Sequence, residues 1–560
     1  MHRFFIPQTL PPCSGIRPEF RERFSGWHLG MGLPETLLAL IRGLNALGRD
    51  IPSCKNTALG MGVWGFQTHP LMHDLAQAAV ETTATVNTNP QQKALAERIA
   101  ATPKLNDTDT ETMETWHALV RQEDRSLLLR FLAVVLADST KGLSWLGHCW
   151  QDMLFLGRPE IPKAALDMVQ WDAITFPLKA RLEAEWSFHC HQPEQALQAI
   201  ESLDSDLWGL WRAYTGAEVL IRSGETEEAK EVLSNLWSMI PWHINLTLKL
   251  HALFNPIVMA ADEKTNDAAI LVYSWNKGEL LAQTLKSLAS SNLGQARIYA
   301  LDNGSTDNTP EVLRQAQDIF GAERFQTITL PVNVGAPAAR NWLLSLPAVR
   351  TAQWAAFLDD DVILPKDWLL HLLGAAQGDK KLGAVGCRIT AATPPFGLQS
   401  ADYNLFPTPP KKTAPGHLPN RVLLYDNCAG STDTGLFSYT RPCLSVSGCC
   451  HLINMEAVRM AGGFDLRYTP SQFDDLDRDL RSALAGMPAL YTGTMAIHHV
   501  QHSSLAKSKS VQQIGHVMGN KFKLDTRYTD EELLRLGAEN RERLWDDLQT
   551  KHDFLAALLG

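Results

Sequence analysis

Residues 268–305 read AAILVYSWNKGELLAQTLKSLASSNLGQARIYALDNGS. An apolar run from Ala268 to Tyr273 gives way to a segment whose apolar residues recur at spacings of three and four. A second apolar run then ends on Asp302. The runs suit strands buried on both faces, and the segment between them suits an amphipathic helix. A strand, a crossover helix and a strand make the unit of a parallel sheet. The alternation continues. TPEVLRQAQDIF predicts a helix with Thr309 as N-cap and Pro310 at its first position. FQTITLP predicts a strand, APAARNWLLSL a helix, and WAAFLDDD a strand that runs into three aspartates. The fold expected is an α/β, doubly wound, mostly parallel sheet, whose ligands gather at the carboxyl ends of the strands.

Those strand ends carry acid. Asp302 falls just past one strand, and Asp359, Asp360 and Asp361 fall just past another. Three adjacent carboxylates repel one another and call for a cation. Oxygen ligands suit Mg2+ or Mn2+, which also bind a substrate diphosphate. Neither GxxxxGK[ST] nor GxGxxG follows the first strand. A bridging metal would then carry much of the recognition of any nucleotide. Along an extended segment Asp359 and Asp361 face one way and Asp360 the other.

Three stretches in this order, DNGSTDNT, NVGAPAARN and FLDDDV, resemble glycosyltransferase family 2, whose members have the GT-A fold and transfer a sugar from a nucleotide donor. Later stretches agree: SGCCHLINMEAVRMAGGFD, FDDLDRDLRSALAG and AIHHVQHSS. The resemblance implies donor-binding roles for Asp302, Asn303, Asn333, Gly335, Arg340, Asp359 and Asp360. Asn303 stands where a second acid is common. Arg340 is either a neighbour of the aspartates or a structural salt bridge. A divalent metal, Mn2+ or Mg2+, is expected on Asp361, with Asp359 on the metal's water shell or the ribose, and a late histidine as a further ligand. His499 is preferred over His498, and His502 reads as a loop residue. Asp475 is the expected catalytic base and Asp474 its acidic neighbour, while Asp477 and Arg481 read as structural. Arg478, where leucine is usual, suggests an exposed face. Phe437, Tyr439 and Arg441 read either as acceptor contacts or as a structural loop.

Outside this region the chain reads as helical. Residues from about 70 to 255 are rich in Ala, Leu, Glu and Gln at helical spacing. HQPEQALQAI returns as GETEEAKEVL, so that 33 positions separate Ala196 from Ala229 and Ala184 from Ala217, and Pro241 follows the second unit. This resembles a tetratricopeptide repeat, which stacks helical hairpins and often binds peptides. The organisation expected is a helical, tetratricopeptide-like domain over 1–262, a GT-A domain over 266–505 and a helical extension over 506–560. The extension would dock on the GT-A domain or mediate a dimer.

The 560 residues are 45% hydrophobic and 20% charged, with a net charge of −10, which disfavours a nucleic-acid binder. Nine cysteines occur without a zinc-type spacing and read as reduced thiols. No apolar run reaches the roughly 18–20 residues of a membrane span, and the N-terminus lacks a signal-peptide core. A cytoplasmic protein is expected. The function these features imply is metal-dependent, inverting transfer from a nucleotide-sugar, with UDP favoured, to a hydroxyl of a glycan or protein. A protein partner could dock on the helical region. Two rivals stand beside it: a non-catalytic scaffold that binds a nucleotide-sugar, and a nucleotidyltransferase, for which the turn after the first strand offers only Lys277 as a basic residue.

Overall fold

A computed structural model of the chain describes residues 3–7, 10, 15–16, 18–23, 26–48, 51–83, 89–379, 381–406, 420–425, 428, 430–500 and 511–560. His502 lies outside them. From Pro18 to Phe254 the described chain forms helices, including Pro34–Leu47 and Pro52–Thr68. The repeated segments form Phe176–Cys190 with Pro193–Glu201, and Ser205–Arg222 with Thr226–Met239. Ala184, Ala196, Ala217 and Ala229 are all buried, where a larger side chain would hold the helices apart. The fourth helix stops just before Pro241, as a residue without an N–H requires.

Among the described residues twelve strands follow: β1 (Ala268–Ser274), β2 (Arg297–Asp302), β3 (Phe325–Thr329), β4 (Trp354–Leu358), β5 (Val362–Ile363), β6 (Ala384–Ala391), β7 (Leu398–Ser400), β8 (Asn404–Leu405), β9 (Leu424–Tyr425), β10 (Thr440–Cys443), β11 (Cys450–Asn454) and β12 (Ala489–His499). The main sheet has the order β10-β12-β6-β11-β4-β1-β2-β3, with β5 on β12 and β7 on β6; β8 and β9 pair separately. β4, β1, β2 and β3 run parallel, as do β6 and β12. β11 runs antiparallel between β4 and β6, and β10 lies antiparallel on β12.

Alternation along these strands divides the core. Ile270, Val272, Ile298, Ala300, Ala356 and Leu358 pack on one face with the helices Gly278–Ala289, Thr309–Phe320 and Trp368–Ala376. Ala269, Leu271, Tyr299, Leu301, Ala355 and Phe357 pack on the other with the helix Ala336–Ser345. Helices on both faces make the sheet doubly wound. One detail differs from the sequence reading: Asn308 is the N-cap before Pro310, and Thr309 already lies within the helix.

The helical region does not stand apart from the sheet. Its core continues through Phe437, Tyr439, Cys443, Ala489 and Tyr491 at the β10 edge and through Trp545, Leu548 and Leu555 of the last helix, Asp530–Leu559. That helix docks inside the chain, and Lys551 Nζ donates to the carbonyl of Thr440. Phe437, Tyr439 and Arg441 are buried in this junction. Tyr439 donates to Asp402 (2.8 Å) and Arg441 to the carbonyl of His28 (2.8 Å), so these residues are structural. Among the described residues eight cysteines are free thiols, and no helix is long and apolar enough to cross a membrane.

Burial lowers the pKa of His28, His189 and His243 to about 3. Below pH 6.5 the unfolded chain therefore takes up protons that the folded chain refuses. Stability falls as the pH drops toward 3, by up to about 1.4 kcal/mol per pH unit for each histidine. Urea denaturation at about pH 7 and about pH 5.5 is expected to show this loss. The loss should shrink in H28Q, and equal stability at the two pH values would contradict it.

Candidate active site

The sheet register assembles the site. Ser274 ends β1 opposite Asp302 of β2. The Ser274 hydroxyl donates to Asp360 Oδ2 (2.7 Å), which joins the acids of two strand ends. Asp302 is buried and accepts from the backbone N–H of Ser305 (2.9 Å), closing the turn. Gly304 has φ +74° there, and a Cβ would meet the Val332 backbone at 2.5 Å, so the position demands glycine. Asn303 donates from Nδ2 to Asn333 Oδ1 (2.9 Å) and accepts from the N–H of Val334 (3.0 Å). Its amide is thus spent on holding two loops together. Gly335, at φ +84°, lies where a Cβ would meet Thr469 Cγ2 at 2.7 Å.

The three aspartates do not continue β4. The chain turns at Asp360 and Asp361, and the strict alternation expected of an extended segment is lost. Lys277 Nζ consequently reaches both Asp360 Oδ1 (3.1 Å) and Asp361 Oδ2 (3.0 Å). Burial pushes the Asp360 pKa up to about 6 against the pull of Lys277. Asp359 points elsewhere. Its Oδ1 lies 3.7 Å from Arg340 Nη2, and burial raises its pKa too.

His499, at the end of β12, places Nε2 2.9 Å from Asp361 Oδ1. Its Nδ1 lies 2.6 Å from Gln399 Oε1, and Gln399 Nε2 donates to the carbonyl of His499 (3.3 Å). The second bond orients the amide, so Nδ1 must be the donor to Oε1. Nε2 then faces a carboxylate and holds either a second proton or a lone pair for a cation. His498 turns away and meets Thr390 Oγ1 (2.8 Å). One His, Cys and Asp set among the described residues brings its donor atoms within 4.8 Å of one another: Asp359, Cys449 and His499. This mixed carboxylate, imidazole and thiol set fits a divalent cation.

Arg340 links these acids to the helix Asp474–Leu484. It is 6% exposed, donates from Nη1 to Asp474 Oδ2 (2.8 Å), and lies 5.3 Å from the ring centre of Tyr273 and 5.1 Å from that of Phe464. Both prior readings of Arg340 hold at once, since it is a salt bridge and a neighbour of the aspartates. The Asp474–Leu484 helix is not an exposed acidic face. Asp474, Asp477 and Asp479 are buried, and Asp475 is only partly so. Asp477 is bound by Arg481 (2.9 Å) and Tyr528 (2.8 Å), and Asp479 by Ser445 (2.8 Å). Arg478, expected on an exposed face, is fully buried and donates to Asp479 (2.9 Å) and to the Gly383 carbonyl. Asp475 Oδ2 accepts from the N–H of Gly448 (3.0 Å), and a Cβ on Gly448 would meet that oxygen at 2.7 Å.

Sequence reading missed Ser274, Gln399, Gly448 and Cys449, and gave Lys277 no place at the aspartates. The β4–β11 register was the signal needed: Cys450 pairs with Leu358, which brings Cys449 to Asp359.

Carboxylates, a histidine and a lysine thus gather at the strand ends of an open α/β sheet. Residues 269–458, about a third of the chain, match the model described as Glycosyl transferase family 2. Asp474, Asp475 and His499 lie beyond the matched residues. A curated relative is the Poly-beta-1,6-N-acetyl-D-glucosamine synthase of Staphylococcus epidermidis, 25% identical over 129 residues, which are 23% of this chain and 30% of the relative. The chain thus spans under a third of that relative's length. Similar solved structures include GalNAc-T7 with UDP, GalNAc and Mn2+ (TM-score 0.32, 12% identity, 42% of this chain and 44% of that one). Another is the mannosyltransferase PcManGT from Pyrobaculum calidifontis with GDP-Man and Mn2+ (0.31, 14%, 59% and 85%). A third is S. aureus TarS (0.29, 14%, 42% and 36%). At such scores the likeness adds nothing to the topology already described.

Removing Arg340 leaves Asp474 buried and unpaired. R340M is expected to lower the unfolding free energy by about 3–5 kcal/mol. D474N should cost less in the R340M background than in the wild type, as a double-mutant cycle by chemical denaturation would measure. Additive costs would show that the pair is not coupled.

Proposed function

We propose that this protein is a metal-dependent, inverting glycosyltransferase that moves a sugar from a nucleotide-sugar, UDP-linked by preference, to a hydroxyl of a glycan or protein acceptor. The observation that carries this reading is the exposure of Asp475. It is the least buried carboxylate of its helix, it is fixed by the Gly448 N–H, and it follows Asp474, whose partner Arg340 faces the Asp359 cluster. A base on one side and a cation site on the other is the arrangement that a single displacement at the sugar carbon needs. Asp475 takes the acceptor hydroxyl proton as that oxygen bonds to the sugar carbon and the bond to the diphosphate breaks. Asp359, Asp361 and His499 would hold the divalent cation, Mn2+ or Mg2+. When bound, the cation would neutralise charge on the departing diphosphate. Asp302, Asn303, Asn333 and Gly335 form the turns that border the nucleotide pocket, and Asp360, pinned by Ser274 and Lys277, shapes its floor. Asp474 serves Asp475 by fixing Arg340 beside it. The paired hairpins over 176–239 are tetratricopeptide-like and offer a surface for a protein acceptor or partner.

A donor screen by thermal shift, with UDP-, GDP- and dTDP-sugars and Mn2+, is expected to single out one nucleotide. D475N should keep that shift while losing on the order of 10²–10⁴-fold in kcat. Unchanged turnover in D475N would remove the base from this reading. A donor shift without any turnover would favour the rival scaffold, and no shift with any donor would count against both readings, since each binds a nucleotide-sugar.

A further inference from the structure

Cys449 enters neither the sequence reading of the site nor the catalytic proposal, yet it sits inside the site. The β4–β11 ladder puts it there. Cys450 is paired with Leu358, and the Asp359 N–H donates to the Cys449 carbonyl (3.1 Å), which extends the ladder by one residue. Cys449 and Asp359 are therefore opposite one another across two strands, and their side chains share a face. Cys450 points the other way, into the core beside Cys387. The Cys449 thiol, an Asp359 oxygen and a His499 nitrogen lie within 4.8 Å of one another. Zinc-like ions hold sulfur at about 2.3 Å and imidazole nitrogen at about 2.0–2.1 Å, which sets such donors about 3.6 Å apart. A small contraction of side chains would close the set. A second observation also points to a ligand: Asp361 is 2% exposed, and its Oδ1, although near His499 Nε2, makes no hydrogen bond of sound geometry.

We propose that Cys449 is a ligand of the cation site, together with Asp359 and His499, and that the site is therefore thiophilic. It would take Zn2+ or Co2+ in preference to Mg2+, whose hard character a sulfur ligand does not serve. The thiol proton passes to solvent when the ion binds. This rests on the metal-dependent reading given above. It differs in adding a sulfur donor and in ranking the metals.

The test is a Co2+ titration of the full chain without donor, followed by absorption and by calorimetry. The wild type is expected to show a near-ultraviolet thiolate-to-cobalt charge-transfer band that saturates with binding. C449S and C449A should lose the band and bind Zn2+ more weakly, by on the order of tenfold or more, with a smaller effect on Mg2+. Matching thermal unfolding of the variants controls for folding, and the wild-type spectrum stands without them. Two results would overturn the assignment while leaving metal dependence intact: Co2+ binding without the band, or the same band in C449S. Absence of heat with Co2+, Zn2+ and Mn2+, with and without UDP, would defeat both readings.

Discussion

Arg340 is the constraint on which the rest of the site depends. One guanidinium, buried between Tyr273 and Phe464, faces Asp474 on one side and Asp359 on the other. Burying a charge is costly unless it is paired; Asp474 is buried as well, and Asp359 partly so. Each charge is tolerable only because the others are present. The consequence is geometric: the turn after β4 and the start of the helix Asp474–Leu484 cannot drift apart without exposing an unpaired ion. Asp475, the next residue, inherits that fixed position.

The antiparallel strand β11 sets the other half of the geometry. It enters the sheet between β4 and β6 and breaks the parallel run. Its approach brings Gly448 and Cys449 against the acids. A side chain at 448 would collide with Asp475 Oδ2 and with Arg340, so a glycine there lets the base helix close on the strand. Asp359, Cys449 and Asp475 thus meet across one strand pairing, although they come from residues far apart in sequence.

The fold was legible where local pattern decides it. Continuous apolar runs gave β1, β2 and β4, and three-and-four spacing gave the helices between them, because strands buried on both faces have few other compositions. The acids were legible as residues because clustered carboxylates have few structural uses. Their contacts were not. The alternation argument for Asp359 to Asp361 needs an extended chain, and the chain turns there. Arg478 looked exposed because its helix is acidic, but Asp479 and the Gly383 carbonyl compensate its charge in the interior. Gln399 and Cys449 belong to neighbouring strands, and strand register is a long-range property that no local window contains. His499, by contrast, was picked out through the family resemblance, which expects a histidine at the end of a late strand.

The helical region bears on the site through the far edge of the sheet. Lys249 and Glu218 form a buried pair there, and Lys249 donates to the Gly435 carbonyl (2.9 Å) while Arg222 donates to that of Asp433 (2.7 Å). Asp433 in turn lies 3.4 Å from Arg388 of β6, the strand that pairs β12 and so carries His498 and His499 in register. Gly435, at φ +76°, has no room for a side chain beside Glu218. Helices and sheet are thus joined by charges that cannot be separated without stranding one of them, over a core that runs through both. A tethered module would be free to swing, with its surface placed only by a linker. Here the surface of the repeat-like hairpins has a fixed bearing on the strand that ends at His499. The same ion pairs that stabilise the junction thus also fix its geometry.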